Sequence, residues 1–185
     1  MKLFLLIAPW CLIQLSTHAQ DFLWKTQTGR IQFRSDAPLE IIEAEADGLL
    51  GLIDPEARTF AFVIEIDKFE GFNSPLQRLH FNENYLESDR YPKATFKGRI
   101  IEKVDLTEDG TYIVRAKGLL NIHGVEQERI IKSEVSVKDE ELKIQAFFSV
   151  RLDDHRITIP RIVQQKIAQN IQVRVNGIFQ QVRKP

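Results

Sequence analysis

A chain of 185 residues in which 25 Lys and Arg face 26 Asp and Glu, for a formal net charge of −1, has no basic surplus with which to track phosphates. Nucleic-acid binding, which needs clustered Lys and Arg to release counterions, is therefore not expected. The sole cysteine is Cys11, so no disulfide can close within the chain and a packed core must supply the stability alone.

In chain order, Lys2 precedes an apolar run from Leu3 to Leu15 and then the small-residue stretch Ser16-Thr17-His18-Ala19. This is the pattern of a secretory signal peptide. Pro9 breaks the run, which is shorter than the roughly 20 residues a membrane-spanning helix needs, so no stable membrane anchor is expected. Cleavage after Ala19 removes Cys11 and divides the chain into a signal over 1–19 and one domain over 20–185 with a periplasmic or secreted location.

The domain alternates with period two over most of its length, the mark of strands with one buried face. Ile31 with Phe33, and the stretch from Leu49 to Ile53, predict short strands on either side of an acidic segment from Ser35 to Gly48. Phe60, Phe62, Ile64 and Ile66 stand in step on the next strand. Ser74-Pro75-Leu76-Gln77 offers a capping serine, a proline at the first helical position and a glutamine able to bond back toward the cap, so a helix begins there. Leu76, Leu79 and His80 share one of its faces.

A strand follows from about Thr95 through Phe96, Ile100 and Val104. The most regular alternation runs from Tyr112 to Ile122, with Val114, Ala116, Gly118 and Leu120 on one face. Val125 to Val137 and Leu142 to Leu152 continue the pattern, the latter with Ala146 and Phe148 inward. A short helical piece from Pro160 to about Ala168 carries Ile162, Val163, Lys166 and Ile167, and a last strand holds Ile171, Val173, Val175, Gly177 and Phe179. Glu108-Asp109-Gly110, His123-Gly124 and Lys138-Asp139-Glu140 are placed for tight antiparallel hairpins. A meander of this length removes its exposed edges most simply by closing. The expected fold is all-β: an antiparallel, lipocalin-like β-barrel with one or two short helices capping an end.

The stretch Glu87-Ser88-Asp89-Arg90-Tyr91-Pro92-Lys93-Ala94-Thr95-Phe96-Lys97-Gly98 resembles the hallmark of the YceI-like family. The Gly71-Phe72 turn, the helix through Leu76, Gln77 and His80, the segment Gly118-Leu119-Leu120-Asn121-Ile122-His123-Gly124-Val125, and the tail from Ile157-Thr158-Ile159-Pro160 to Lys166-Ile167 match it in the same order. The resemblance implies an exported barrel that encloses a polyisoprenoid or related lipid, with no enzymatic activity and no cofactor. Relative to many members, the acidic segment at Ser35 to Gly48 is short, which leaves the ligand's length open.

Small inward residues at Ala116, Gly118 and Ala146 would leave a channel flanked by Phe96, Leu120 and Phe148, or would oppose larger side chains in an ordinary core. Each buried methylene contributes about 0.8 kcal/mol against an association cost of about 4–15 kcal/mol, so a chain of roughly sixteen carbons is favoured over a short metabolite. A polyisoprenoid, a quinone or a fatty acyl chain meets that condition. Phe72, Leu76, Leu79, Phe81 and Tyr85 are placed to cap one end as a gate or a plug, and Ile162 is expected to line the same end. Arg90 and Lys93 are candidate contacts for a charged head group.

Catalysis finds little support: there is no G-x-S-x-G elbow, no glycine-rich phosphate loop and no cysteine in the expected mature chain. His80, His123 and His155 lie at no recognised metal-ligand interval, so no metal is expected. The alternatives to a lipid carrier are an enzyme acting on such a lipid and a structural module with a filled core. An exposed final strand would allow a homodimer, which nothing in the sequence requires.

Overall fold

The computed structural model describes residues 22–184, so the expected signal peptide lies outside the described residues. Eight antiparallel strands close into a barrel in sequence order: β1 (Phe22–Asp36), β2 (Ile41–Asp54), β3 (Thr59–Glu65), β4 (Lys93–Ile100), β5 (Gly110–Ile122), β6 (Val125–Lys138), β7 (Glu141–Arg151) and β8 (Asn170–Arg183). Every strand pairs with its sequence neighbours, and β8 returns to pair with β1. The final strand therefore has partners on both sides and offers no exposed edge of the kind that would allow a homodimer.

The two N-terminal strands are far longer than the expected fragments. In β1 the buried positions are Phe22, Trp24 and Thr26, then Gly29, so the inward parity switches from even to odd. In β2 it switches likewise, from Ile42, Ala44 and Ala46 to Leu49, Gly51 and Ile53. The switches face each other, with register shifts on either side of the Gly29–Leu49 pair. A bulge adds one residue and reverses which side chains face inward. The acidic residues of the Ser35 to Gly48 region belong largely to an outward charge ladder. Arg30 donates to Asp47 at 2.7 Å, and Arg34 donates to Glu43 at 2.5 Å.

Two-residue turns close the β5–β6 and β6–β7 hairpins. His123 and Gly124 both have positive φ (53° and 71°), as do Asp139 and Glu140 (51° and 62°), the conformation whose twist matches paired strands. Between β4 and β5, Gly98 pairs with Gly118. A Cβ at Gly118 would fall 2.2 Å from the Lys97 carbonyl oxygen, so the two backbones approach as only glycine permits.

One end of the barrel holds the largest cluster of buried side chains among the described residues. Trp24, Ile53, Phe60, Leu106, Val114, Val135, Val137, Leu142 and Phe179 form its core, with the Trp24 indole N–H donating to the Leu106 carbonyl at 3.1 Å. The other end carries the irregular segments. Helix α1 (Pro75–His80) begins where the Ser74 hydroxyl accepts from the Gln77 N–H at 3.2 Å. The Gln77 side-chain oxygen accepts from the Asn73 N–H at 3.1 Å, one residue earlier than a bond to the cap itself. A π-helical turn (Phe81–Tyr85) continues α1. The expected second helix is only one 3₁₀ turn (Arg161–Val163), because the following chain is held outward: the Leu39 N–H donates to the Gln165 carbonyl and the Ala168 N–H to the Ser35 hydroxyl, both at 2.9 Å.

Between β6 and β7 much of both strands is left unpaired. Backbone pairing there spans only Ser133–Lys138 with Glu141–Ala146. Beyond it, side chains bridge the strands: Arg129 donates to the Ser149 carbonyl at 2.5 Å, and Gln127 donates to the Asp154 carbonyl at 2.7 Å. The fully buried His155 closes the end of this seam through a 3.1 Å contact between its Nδ1 and the Val125 carbonyl.

Candidate functional site

The inward faces of the barrel line two adjoining chambers. The inner one, of about 110 Å³, is walled by Phe60, Phe62, Phe96, Ile144, Ala146 and Phe179. The outer one, of about 420 Å³, is walled by Phe33, Ile42, Phe69, Phe72, Phe81, Leu152 and Ile159. Ile31, Ile64, Ala94, Leu120 and Phe148 line both and mark where the two adjoin. Apart from Ser133 and Thr95, the inner lining is carbon-rich, a surface that favours an apolar occupant.

The outer chamber reaches solvent at a rim made of three chain segments. The β1–β2 connection supplies Glu40, α1 supplies Ser74, Leu76, Gln77 and His80, and the stretch after the Arg161–Val163 turn supplies Lys166 and Ile167. Glu40 ties two of these together, accepting from the Gln77 amide at 2.6 Å and the Asn73 amide at 3.5 Å. Below the rim, Phe81 packs against Phe33, Phe69 and Phe72 with ring centroids 5.5, 5.7 and 5.1 Å away. Such aromatic pairs contribute about 0.5–1.5 kcal/mol each beyond area burial, so this cluster anchors the end of α1 on β1.

Of the residues singled out from sequence, Phe72, Leu76, Phe81 and Tyr85 line the outer chamber, Phe96 and Ala116 the inner one, and Leu120 and Phe148 both. Leu76 does so while 58% exposed. The others lie elsewhere. Leu79 is outside both linings and 47% exposed, because the single helical turn presents Leu76 and His80 to the chamber instead. Ile162 is 91% exposed, since the 3₁₀ turn directs its neighbour Val163 inward. Gly118 serves the close approach of β4 and β5. Arg90 stacks over the Tyr91 ring at 5.1 Å, and neither it nor Lys93 lines a chamber.

Sequence reasoning did not assign Ile31, Phe33, Ile64, Phe69 or the polar rim to the site. The Ile31–Phe33 alternation was a usable signal for two of them. The rim had none, because Glu40, Gln77 and Lys166 meet only through the closed fold. The histidines do not converge: His80 is at the rim, whereas His123 sits 2.9 Å from the Glu87 carboxylate and 3.2 Å from the His155 carbonyl. Among the described residues, no group of three or more His, Cys, Asp or Glu is placed to hold a metal ion. No described helix is long and apolar enough to cross a membrane.

The same barrel is found in solved structures. A polyisoprenoid binding domain from Saccharophagus degradans, implicated in plant cell wall breakdown, superposes with a TM-score of 0.70 at 15% identity, covering 87% of this chain and 98% of its own. BcnA from Burkholderia cenocepacia gives 0.67 at 13% identity, covering 81% and 95%. The YceI protein of Campylobacter jejuni gives 0.55 at 14% identity, covering 75% and 81%. No curated protein sequence matches the chain. The model of the YceI-like domain matches residues 17–179, which contain all but the end of the described barrel, and this chain belongs to the YceI-like family.

Proposed function

We propose that the protein is an exported carrier that encloses the hydrocarbon chain of one lipid of polyisoprenoid, quinone or fatty acyl type. The observation that carries this reading is the pair of adjoining, carbon-lined chambers inside a closed barrel. Taking a methylene to fill about the ~30 Å³ share of a water molecule, the outer chamber accommodates about fourteen and the inner one about four. A chain of that size gains about 13 kcal/mol or more on burial, which meets the cost of association. The polyisoprenoid binding domain that shares the fold supports the same class of ligand. A binding role fits better than a catalytic one because the ionisable lining groups Glu40, His80, Tyr85 and Lys166 belong to the outer chamber, away from the hydrocarbon walls of the inner one.

The test is to purify the protein without detergent, extract it with organic solvent and identify the released material by mass spectrometry. One long-chain lipid in near-stoichiometric yield is expected. An empty extract, together with failure of the protein to take up polyisoprenoid, quinone and long-chain acyl probes, would refute the reading. Export is tested separately by fractionating cells that express the full chain and sequencing the mature N-terminus, which is expected to be Gln20.

A further inference from the structure

The donors and acceptors of the outer chamber's rim are unequally used. Its only carboxylate, Glu40, holds the two side-chain amides of Gln77 and Asn73 and thereby joins α1 to the β1–β2 connection. The Ser74 hydroxyl accepts from the Gln77 N–H, and the Ser35 hydroxyl accepts from the Ala168 N–H. These acceptors help hold the rim's own segments together. In contrast, no hydrogen bond or ion pair within the protein engages the side chains of Lys166, His80 or Tyr85 among the described residues, although all three line the chamber. Lys166 is exposed at the rim, while His80 and Tyr85 are half-buried.

We infer that the lipid carries an acidic head group, a carboxylate or a phosphate monoester, received at the rim by Lys166 and His80, with the Tyr85 phenol of the chamber wall as a further donor. The inference rests on the carrier reading and gives the ligand its polarity: hydrocarbon inward, acid at the rim. An ammonium has three donors and no acceptor, and a phenol donates to an anionic oxygen, so these side chains suit a group rich in acceptors. A neutral alcohol gives Lys166 no charge to meet. Burial raises the pKa of the Tyr85 phenol, which keeps its donor proton in place. The head-group site lies on the rim rather than at Arg90 and Lys93, whose side chains lie outside the chamber.

The experiment compares three probes of one chain length on the full-length protein: hexadecanoic acid, hexadecyl phosphate and hexadecanol, each displacing a fluorescent fatty acyl reporter. The acid and the phosphate are expected to bind about fivefold tighter than the alcohol at low salt, the upper range for a partly exposed ion pair. The preference should shrink as salt screens it. Lys166→Glu is expected to abolish the preference for the acid and the phosphate over hexadecanol, and unfolding by circular dichroism would verify that the exposed substitution leaves the barrel intact. If the phosphate alone is preferred, or the acid alone, that arm identifies the head. Equal binding of all three, or a preference untouched by Lys166→Glu, would overturn the head-group assignment and leave the carrier standing. Failure of all three probes to bind, together with an empty solvent extract and no uptake of polyisoprenoid or quinone, would sink the carrier reading itself.

Discussion

Ala94 lines both chambers, so its side chain stands where a ligand's passage from one to the other would run. Ala94→Phe places a ring in that passage and should close the inner chamber to any ligand while leaving most of the outer one open. At about 30 Å³ per methylene, the 110 Å³ behind the block represents about four methylenes. At about 0.8 kcal/mol each, they contribute about 3 kcal/mol, or roughly a hundredfold in affinity. Binding measured across a series of fatty acids should therefore diverge with length. The natural protein should gain affinity up to about eighteen carbons, whereas the variant should reach its limit about four carbons sooner and bind the shorter acids almost as well. A fall in affinity that is equal at every length, with the fold intact by circular dichroism, would show that the chain does not thread from the outer chamber into the inner one.

Further outcomes follow from other parts of the barrel. Gly118→Ala forces its Cβ against the Lys97 carbonyl and the Gly98 backbone, so β4 and β5 must separate; a loss of about 3 kcal/mol in urea unfolding is expected, and a loss near zero would show that the strands yield freely. Arg129→Met removes the charged donor that bridges β6 and β7, with an expected cost of about 1.5–3 kcal/mol and faster amide exchange over residues 147–151; unchanged exchange would mean that the seam closes without it. Burial holds the His155 imidazole below histidine's ordinary 6.5, partly opposed by its bonds to backbone carbonyls, so the unfolded chain takes up the proton first. Stability should be full above about pH 6.5 and decline below it until the folded imidazole also protonates. His155→Gln should flatten that decline between about pH 7.5 and 5, and an unaltered slope of the urea midpoint would assign the dependence to other groups.

How much of this was legible in the sequence depends on whether each strand keeps one parity. β5 and β7 run without interruption, with Val114, Ala116 and Leu120 inward on one and Leu142, Phe148 and Val150 on the other, and period two reveals them. β1 and β2 slip by one residue near Gly29 and Gly48, so a reader following one parity loses each strand halfway. The outward Glu43, Glu45 and Asp47 then read as an acidic loop, although their partners Arg30 and Arg34 lie on the neighbouring strand. For the site, the aromatic residues on and near α1 were legible because the family motif fixes their surroundings. Lys166 stood inside a segment read as a helix, where Ile162 seemed the natural inward residue; the 3₁₀ turn changed which side chains face the chamber.

The barrel separates the tasks of stability and capacity along its axis. Without a disulfide among the described residues, hydrophobic packing must hold the fold, and a core full enough to do so leaves no room for a ligand. The protein meets both demands by placing Trp24 and Leu142, both fully buried and outside the chamber linings, at one end. The opposite end is walled by side chains that touch one another less completely and is roofed by a six-residue helix, one π-helical turn and a 3₁₀ segment. Short elements of this kind have little helical stability of their own and depend on what they pack against, here the phenylalanine cluster around Phe81. An occupant that fills the outer chamber would add contacts to that roof while leaving the packed end unchanged. The roof is therefore the part of the structure whose order should depend most on the ligand.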